Sequence, residues 1–182
     1  MYDIAPLHLG SLETSWLVPP LLGTFYIVLG FLTIAADNSS PGPATAAAQI
    51  RASNEASVGF LALNFGALAA ALALSAYMYK TQQPSGVIFG VLAAVTALNW
   101  ALFDRTKQGL VLAAVCGLGA PAAEVVLMAV THCWHYPRAD VGGVFVSWVP
   151  WCYAFYTPAV SNLARYLWVT CRPPAGEAEG GW

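Results

Sequence analysis

Residues 86–131 read GVIFGVLAAVTALNWALFDRTKQGLVLAAVCGLGAPAAEVVLMAVT, and the architecture follows from this stretch. Two apolar runs, Gly86–Phe103 and Gly109–Thr131, flank one polar break, Asp104–Gln108. A helix rises about 1.5 Å per residue and the bilayer's hydrocarbon core is about 30 Å thick, so roughly 20 apolar residues cross it. The break is so short that its two helices are expected side by side and antiparallel.

Three more runs have the same character: Leu17–Ala36, Ala56–Tyr79 and Val144–Val169. Only 9% of the 182 residues are charged and 58% are apolar, whereas a soluble domain carries roughly a quarter charged residues. Backbone groups in lipid must be satisfied internally, which leaves helices or closed barrels. A barrel would show alternating segments of about ten residues; these runs are continuous. The fold class is therefore all-α, a polytopic membrane helical bundle with five predicted transmembrane helices. Residues 1–171 form the transmembrane domain and 172–182 a disordered cytosolic tail rich in Pro, Gly and Glu. Asp37–Glu55, rich in Ser, Pro, Gly and Ala, is expected to be a flexible loop.

Lys and Arg concentrate on the cytosolic side of membrane proteins. Arg51, Arg105, Lys107, Arg165 and Arg172 fall on one side of the predicted bundle, Lys80 and Arg138 on the other. This places the C-terminus in the cytosol and the N-terminus in the lumen. The sequon Asn38-Ser39-Ser40 is then cytosolic and unmodified. The first sixteen residues lack the features of a signal peptide, and a helix preceding them is expected to be missing.

Chemistry-bearing residues are few. Cys116, Cys133, Cys152 and Cys171 have no disulfide or zinc spacing. His132-Cys133-Trp134-His135 is the only cluster with ligand chemistry, and it reads better as an interfacial loop with belt aromatics. No metal site and no cofactor are expected. Glu124 is the one ionisable residue deep in a predicted span, three residues after the helix-kinking Pro121. An intramembrane carboxylate is either a functional group or a group hydrogen-bonded to a neighbouring helix, and both readings stay open. Asn64, Asn99 and Asn162 read as interhelical hydrogen-bonding residues. No hydrolytic triad, metalloprotease motif or phosphate loop occurs, so an enzyme is not expected. A net charge of −2 gives no sign of nucleic-acid binding.

Three stretches resemble the Insig (insulin-induced gene) family. Ser15-Trp16-Leu17-Val18-Pro19-Pro20-Leu21-Leu22-Gly23-Thr24 is similar to the family's Trp-x-Val-Pro-Pro-x-x-Gly-Thr, with Gly30 and Asp37 in register. Trp100-Ala101-Leu102-Phe103-Asp104-Arg105, followed by Gly109, resembles its Trp-x-x-Phe-Asp-Arg-x-x-x-Gly. Ser147-Trp148-Val149-Pro150, with Asn162 and Arg165, matches its last membrane helix, and Phe60 and Asn64 its third. The family has six membrane helices, of which the first has no counterpart here. Val87 replaces a family glutamine, and Asn64-Phe65 an Asn-His pair.

The resemblance implies a non-enzymatic regulator of the endoplasmic reticulum membrane. Such proteins bind oxysterols, retain the escort protein SCAP and promote degradation of HMG-CoA reductase. Phe60 and Trp100 match sterol-pocket positions. Asp104, with Arg105 beside it, matches the family's partner-binding aspartate; on physical grounds alone Asp104 reads as a cap for the helix starting near Thr106. The implied partners are SCAP-like and HMG-CoA reductase-like membrane proteins, sterol or another lipid, and a second copy of the chain. The alternatives are a small transporter or channel subunit using Glu124, and a structural assembly factor.

Overall fold

The structure, a computed structural model, describes residues 6–9, 12–53, 57–132 and 134–171. Cys133, Arg172 and the 172–182 tail lie outside the described residues. A short antiparallel hairpin, β1 (Pro6–Leu9) and β2 (Leu12–Ser15), precedes six helices. These are α1 (Val18–Ser39), α2 (Pro43–Ser53), α3 (Ser57–Lys80), α4 (Ser85–Phe103), α5 (Lys107–Thr131) and α6 (Val149–Thr170).

Local chemistry sets the helix ends. α1 and α6 carry prolines in their first turns, where a missing N–H costs nothing because that donor has no intrahelical partner. Thr106 caps α5 by accepting from the Gly109 amide at 3.0 Å. The expected capping residue, Asp104, instead ends α4 and accepts from the Thr106 hydroxyl at 2.7 Å. Inside α6, Pro158 denies Ala154 its usual backbone donor. The Thr157 hydroxyl takes that place at 2.7 Å.

Among the described residues four helices are long and apolar enough to span a membrane: α1, α3, α4 and α5, with mean hydropathies of 1.8, 1.9, 2.0 and 2.1. This corrects the expectation of five. The fifth segment does form a helix, α6, but it is less apolar because it sits at the centre and packs against all five other helices. Thr157, Ser161, Asn162 and Arg165 are buried along it. Its polar groups face neighbouring helices, while the outer helices present apolar side chains such as Phe31, Leu118 and Val130, each at least 70% exposed. α6 also starts at Val149 rather than near Val144, with Pro150 in its first turn.

Two other expectations change. Much of the predicted loop 37–55 is helix α2, whose buried residues Thr45, Ala48 and Ala52 recur at helical spacing. And α4 and α5 are not packed side by side. The left-handed Arg105 (φ 63°) and the extended Thr106 splay them apart, and each packs on α6.

Apolar clusters tie α6 to this collar. Leu29 of α1 and Leu112 and Cys116 of α5 meet Val160. Leu68 and Ala71 of α3 meet Phe155 and Ala159. Gly117 lets α5 approach closely, since a Cβ there would lie 3.0 Å from the Pro150 carbonyl oxygen.

Candidate functional site: a buried ionic junction

Arg165 is 1% exposed, and an unpaired cation at that depth would cost several kcal/mol. It is met by Asp37 at the end of α1. Arg165 Nε donates to Asp37 Oδ2 at 2.8 Å and Nη2 to Oδ1 at 3.1 Å. This two-point geometry is the stronger form of the pair. Its third nitrogen, Nη1, lies 3.3 Å from Asp104 Oδ1 and 3.3 Å from Asn162 Oδ1.

The shell around this pair is polar and ordered. Gln108 donates to Asp37 Oδ1 at 3.0 Å and to the Thr45 hydroxyl at 2.6 Å, fastening α2 and α5 to α1. Asn162 Nδ2 donates to Asn64 Oδ1 and to the Phe103 carbonyl, each at 3.0 Å. Arg51 of α2 donates to the Asp104 carbonyl at 3.0 Å, and its guanidinium lies 5.9 Å from the Phe60 ring centre. Two buried carboxylates thus face one buried guanidinium, and Arg51 offsets the remaining charge from the rim.

Gly109 is required for this arrangement. A Cβ on it would lie 1.7 Å from Asp104 Oδ2 and 2.8 Å from the Thr106 hydroxyl oxygen. Trp100 braces the same corner, its indole N–H donating to the Thr106 carbonyl at 3.1 Å.

The sequence-named residues divide into two groups. Asn64, Trp100, Asp104 and Asn162 come together at the junction. Phe60 borders it, its ring 5.6 Å from that of Phe103. Asp104 is fully buried while Arg105, beside it, is exposed and donates through Nε to the Ala101 carbonyl. Asp37 and Arg165 stood out through motif register, Arg165 and Arg51 also as cations on the cytosolic side, and Thr106 as a helix start; Thr45 and Gln108 were not singled out. The available signal was a carboxylate at the end of one apolar run and an arginine inside another.

Glu124 lies apart from this group. Its Oε1 accepts from Trp134 Nε1 at 2.9 Å and from the Tyr136 hydroxyl at 2.6 Å, and its Oε2 from the Tyr153 hydroxyl at 3.1 Å. Among the described residues no group of three metal-ligating side chains occurs.

Two grooves open on the outer face. One, of about 450 Å³, lies between α1 and α6 and is lined by Tyr26, Gly30, Phe31, Ala164 and Trp168 among others. The second, of about 240 Å³, lies between α3 and α4 over Ala70, Leu98, Asn99, Phe103 and Phe155. Asn99 Nδ2 donates to the Phe155 carbonyl at 3.1 Å, while its buried Oδ1 has no partner among the described residues. Phe60 and Trp100 line neither groove.

No protein-family model, curated protein or solved structure matches this chain.

Proposed function

We propose that this chain is a lipid-responsive regulator of the endoplasmic reticulum membrane, of the Insig type and without enzymatic activity. One observation carries the reading. The residues of three separate motifs, Asp37, Trp100, Asp104, Gly109, Asn162 and Arg165, meet at one junction. In this reading α6 packs inside the collar, the junction faces the cytosol, and the N-terminal hairpin faces the lumen.

The α3–α4 groove is the lipid seat we favour. Its apolar walls suit a sterol or acyl chain, and Asn99 Oδ1 offers an acceptor to a lipid hydroxyl. The groove also touches the junction, because Phe103 lines it and the Phe103 carbonyl is held by Asn162, which in turn bonds Arg165. A lipid that prefers one position of Phe103 thereby biases the junction. It shifts the bundle only by its difference in affinity for the two packings. The exposed Arg105, aimed by its left-handed backbone, presents that state to a sterol-sensing partner such as a SCAP-like or HMG-CoA reductase-like protein. Asp104 acts from beneath, by holding the corner.

The test is co-purification with a sterol-sensing partner from microsomes, with and without added sterol. Sterol should increase capture by the native chain, and Ala70→Phe, which fills the groove, should remove that increase. Capture that ignores sterol would sink the proposal and favour a structural assembly role. A transporter reading needs an ion to reach Glu124, whose oxygens already take three hydrogen bonds and which lines neither groove.

A further inference from the structure

We propose that residues 134–146 are a strap latched shut by Glu124, and that freeing this carboxylate lets the strap lift from the bundle. This stands apart from the lipid-regulator reading.

The segment leaves α5 at His132, whose backbone is left-handed (φ 51°). It then touches three helices. At α5, Trp134 and Tyr136 donate to Glu124, which is 9% exposed and is also bonded by Tyr153 of α6. At the end of α3, Arg138 donates to the Tyr79 carbonyl at 2.9 Å and the Gln83 carbonyl at 3.2 Å, with its guanidinium 4.9 Å from the Tyr79 ring centre. At the start of α6, Asp140 accepts from the Ser147 amide at 2.7 Å and from the Ser147 hydroxyl at 2.6 Å. Between these points the chain reverses at Gly142 and Gly143, both at positive φ, and lays Phe145 and Val146 over Met128 and Val149.

The closed state is opposed from within. The Tyr79 hydroxyl and the indole N–H groups of Trp148 and Trp151 are buried with no acceptor among the described residues. They form one patch. The Tyr79 and Trp148 rings lie 5.8 Å apart, and Trp148 and Trp151 pack on the same Met78–Ile88–Leu92 cluster. A buried donor without an acceptor is costly, and interfacial water admitted beneath a lifted strap would supply one. Two bonds from the strap to the Glu124 carboxylate, the stronger kind of hydrogen bond, oppose that release. Two states separated by such opposing terms are what a movable segment needs.

Glu124 is on this view a positioning residue. It lies two turns inside α5, whereas Tyr79, Gln83 and Ser147 lie at a helix end or in a connection. Arg138 and Asp140 hold the far side, so the strap would open from its Trp134 end.

Hydrogen–deuterium exchange on the full chain in phosphatidylcholine nanodiscs tests this directly. Glu124→Ala should speed exchange of amides in 134–146 about tenfold or more relative to α4 amides in the same sample. Tyr136→Phe removes one donor, leaves the carboxylate in place, and should give a smaller rise confined to the same segment. It keeps the test decisive should Glu124→Ala fail to fold. Unchanged exchange in 134–146 in Tyr136→Phe, or a rise spread evenly over all helices, overturns the strap.

Discussion

Asp37 and Arg165 are 128 residues apart in sequence, yet their side chains close a two-point ion pair at 2.8 and 3.1 Å, each about 1% exposed. The pair joins the end of the first long helix to the C-terminal third of the last. Removing Asp37 takes away the two-point partner and leaves Arg165 only its longer 3.3 Å ionic contact with Asp104; breaking a buried pair in this way costs about 3–5 kcal/mol. Asp37→Ala is therefore expected to lower the stability of the detergent-solubilised bundle by that amount in a denaturant titration. The triple variant Asp37→Leu with Arg165→Met and Asp104→Asn should recover much of the loss, because it removes the guanidinium together with both carboxylates that face it.

Gly109→Ala is expected to behave like a loss of Asp104. The added methyl would overlap the Asp104 carboxylate, so the carboxylate must leave its place beside Arg165. Gly66→Ala is the control: a Cβ there meets nothing within 4 Å. Thermal unfolding should show a clear drop for the first and no loss for the second. Equal melting temperatures for the two would count against the junction geometry described above.

Asn162→Leu separates lipid binding from its output. It deletes the hydrogen bonds to Asn64, Phe103 and Arg165 while leaving both groove walls intact. Stability should fall by about 1–3 kcal/mol, the cost of stranding buried polar groups. Lipid retained through purification, read by mass spectrometry, should stay at the native level, while the sterol-dependent part of partner capture disappears.

Acid should loosen the strap at its Asp140 attachment. Burial alone would raise this carboxyl, but hydrogen bonds from the Ser147 hydroxyl and amide and from Ser85 outweigh it and hold Asp140 below the ordinary carboxylate range. A depressed carboxylate contributes stability above its unfolded pKa, near 3.9, and loses it as pH falls through the lower folded value. Amide exchange around 140–147 should therefore accelerate, relative to the intrinsic rate, as pH drops below about 4. Asp140→Asn should remove that dependence.

Long apolar segments were legible because a bilayer demands length and hydrophobicity together. Thus α3, α4 and α5 begin and end close to where the runs begin and end. α2 escaped because an alanine-rich surface helix has little apolar contrast between its faces; the Thr45, Ala48, Ala52 spacing was its only signal. α6 was found but misjudged, since an inner helix surrounded by protein need not be apolar. Arg165 was counted with the flanking cations for the same reason. Composition shows that a residue is charged, while only tertiary packing shows that it is paired. Motif register brought Asp37, Asp104 and Arg165 into view, but their contacts depend on how α1, α4 and α6 cross, which no local spacing encodes. Glu124 was recognised as exceptional, and its three donors come from a connecting loop and from another helix.

The placement of Arg165 on the final helix has a consequence for biosynthesis. As the ribosome extends the chain, Asp37 and Asp104 are made before their counter-charge has been translated. Docking of the closing helix is assisted by acids already in place, which offsets part of the several kcal/mol that burying a lone guanidinium costs. A nascent product interrupted before Arg165 would carry both acids without the guanidinium that pairs them in the finished bundle.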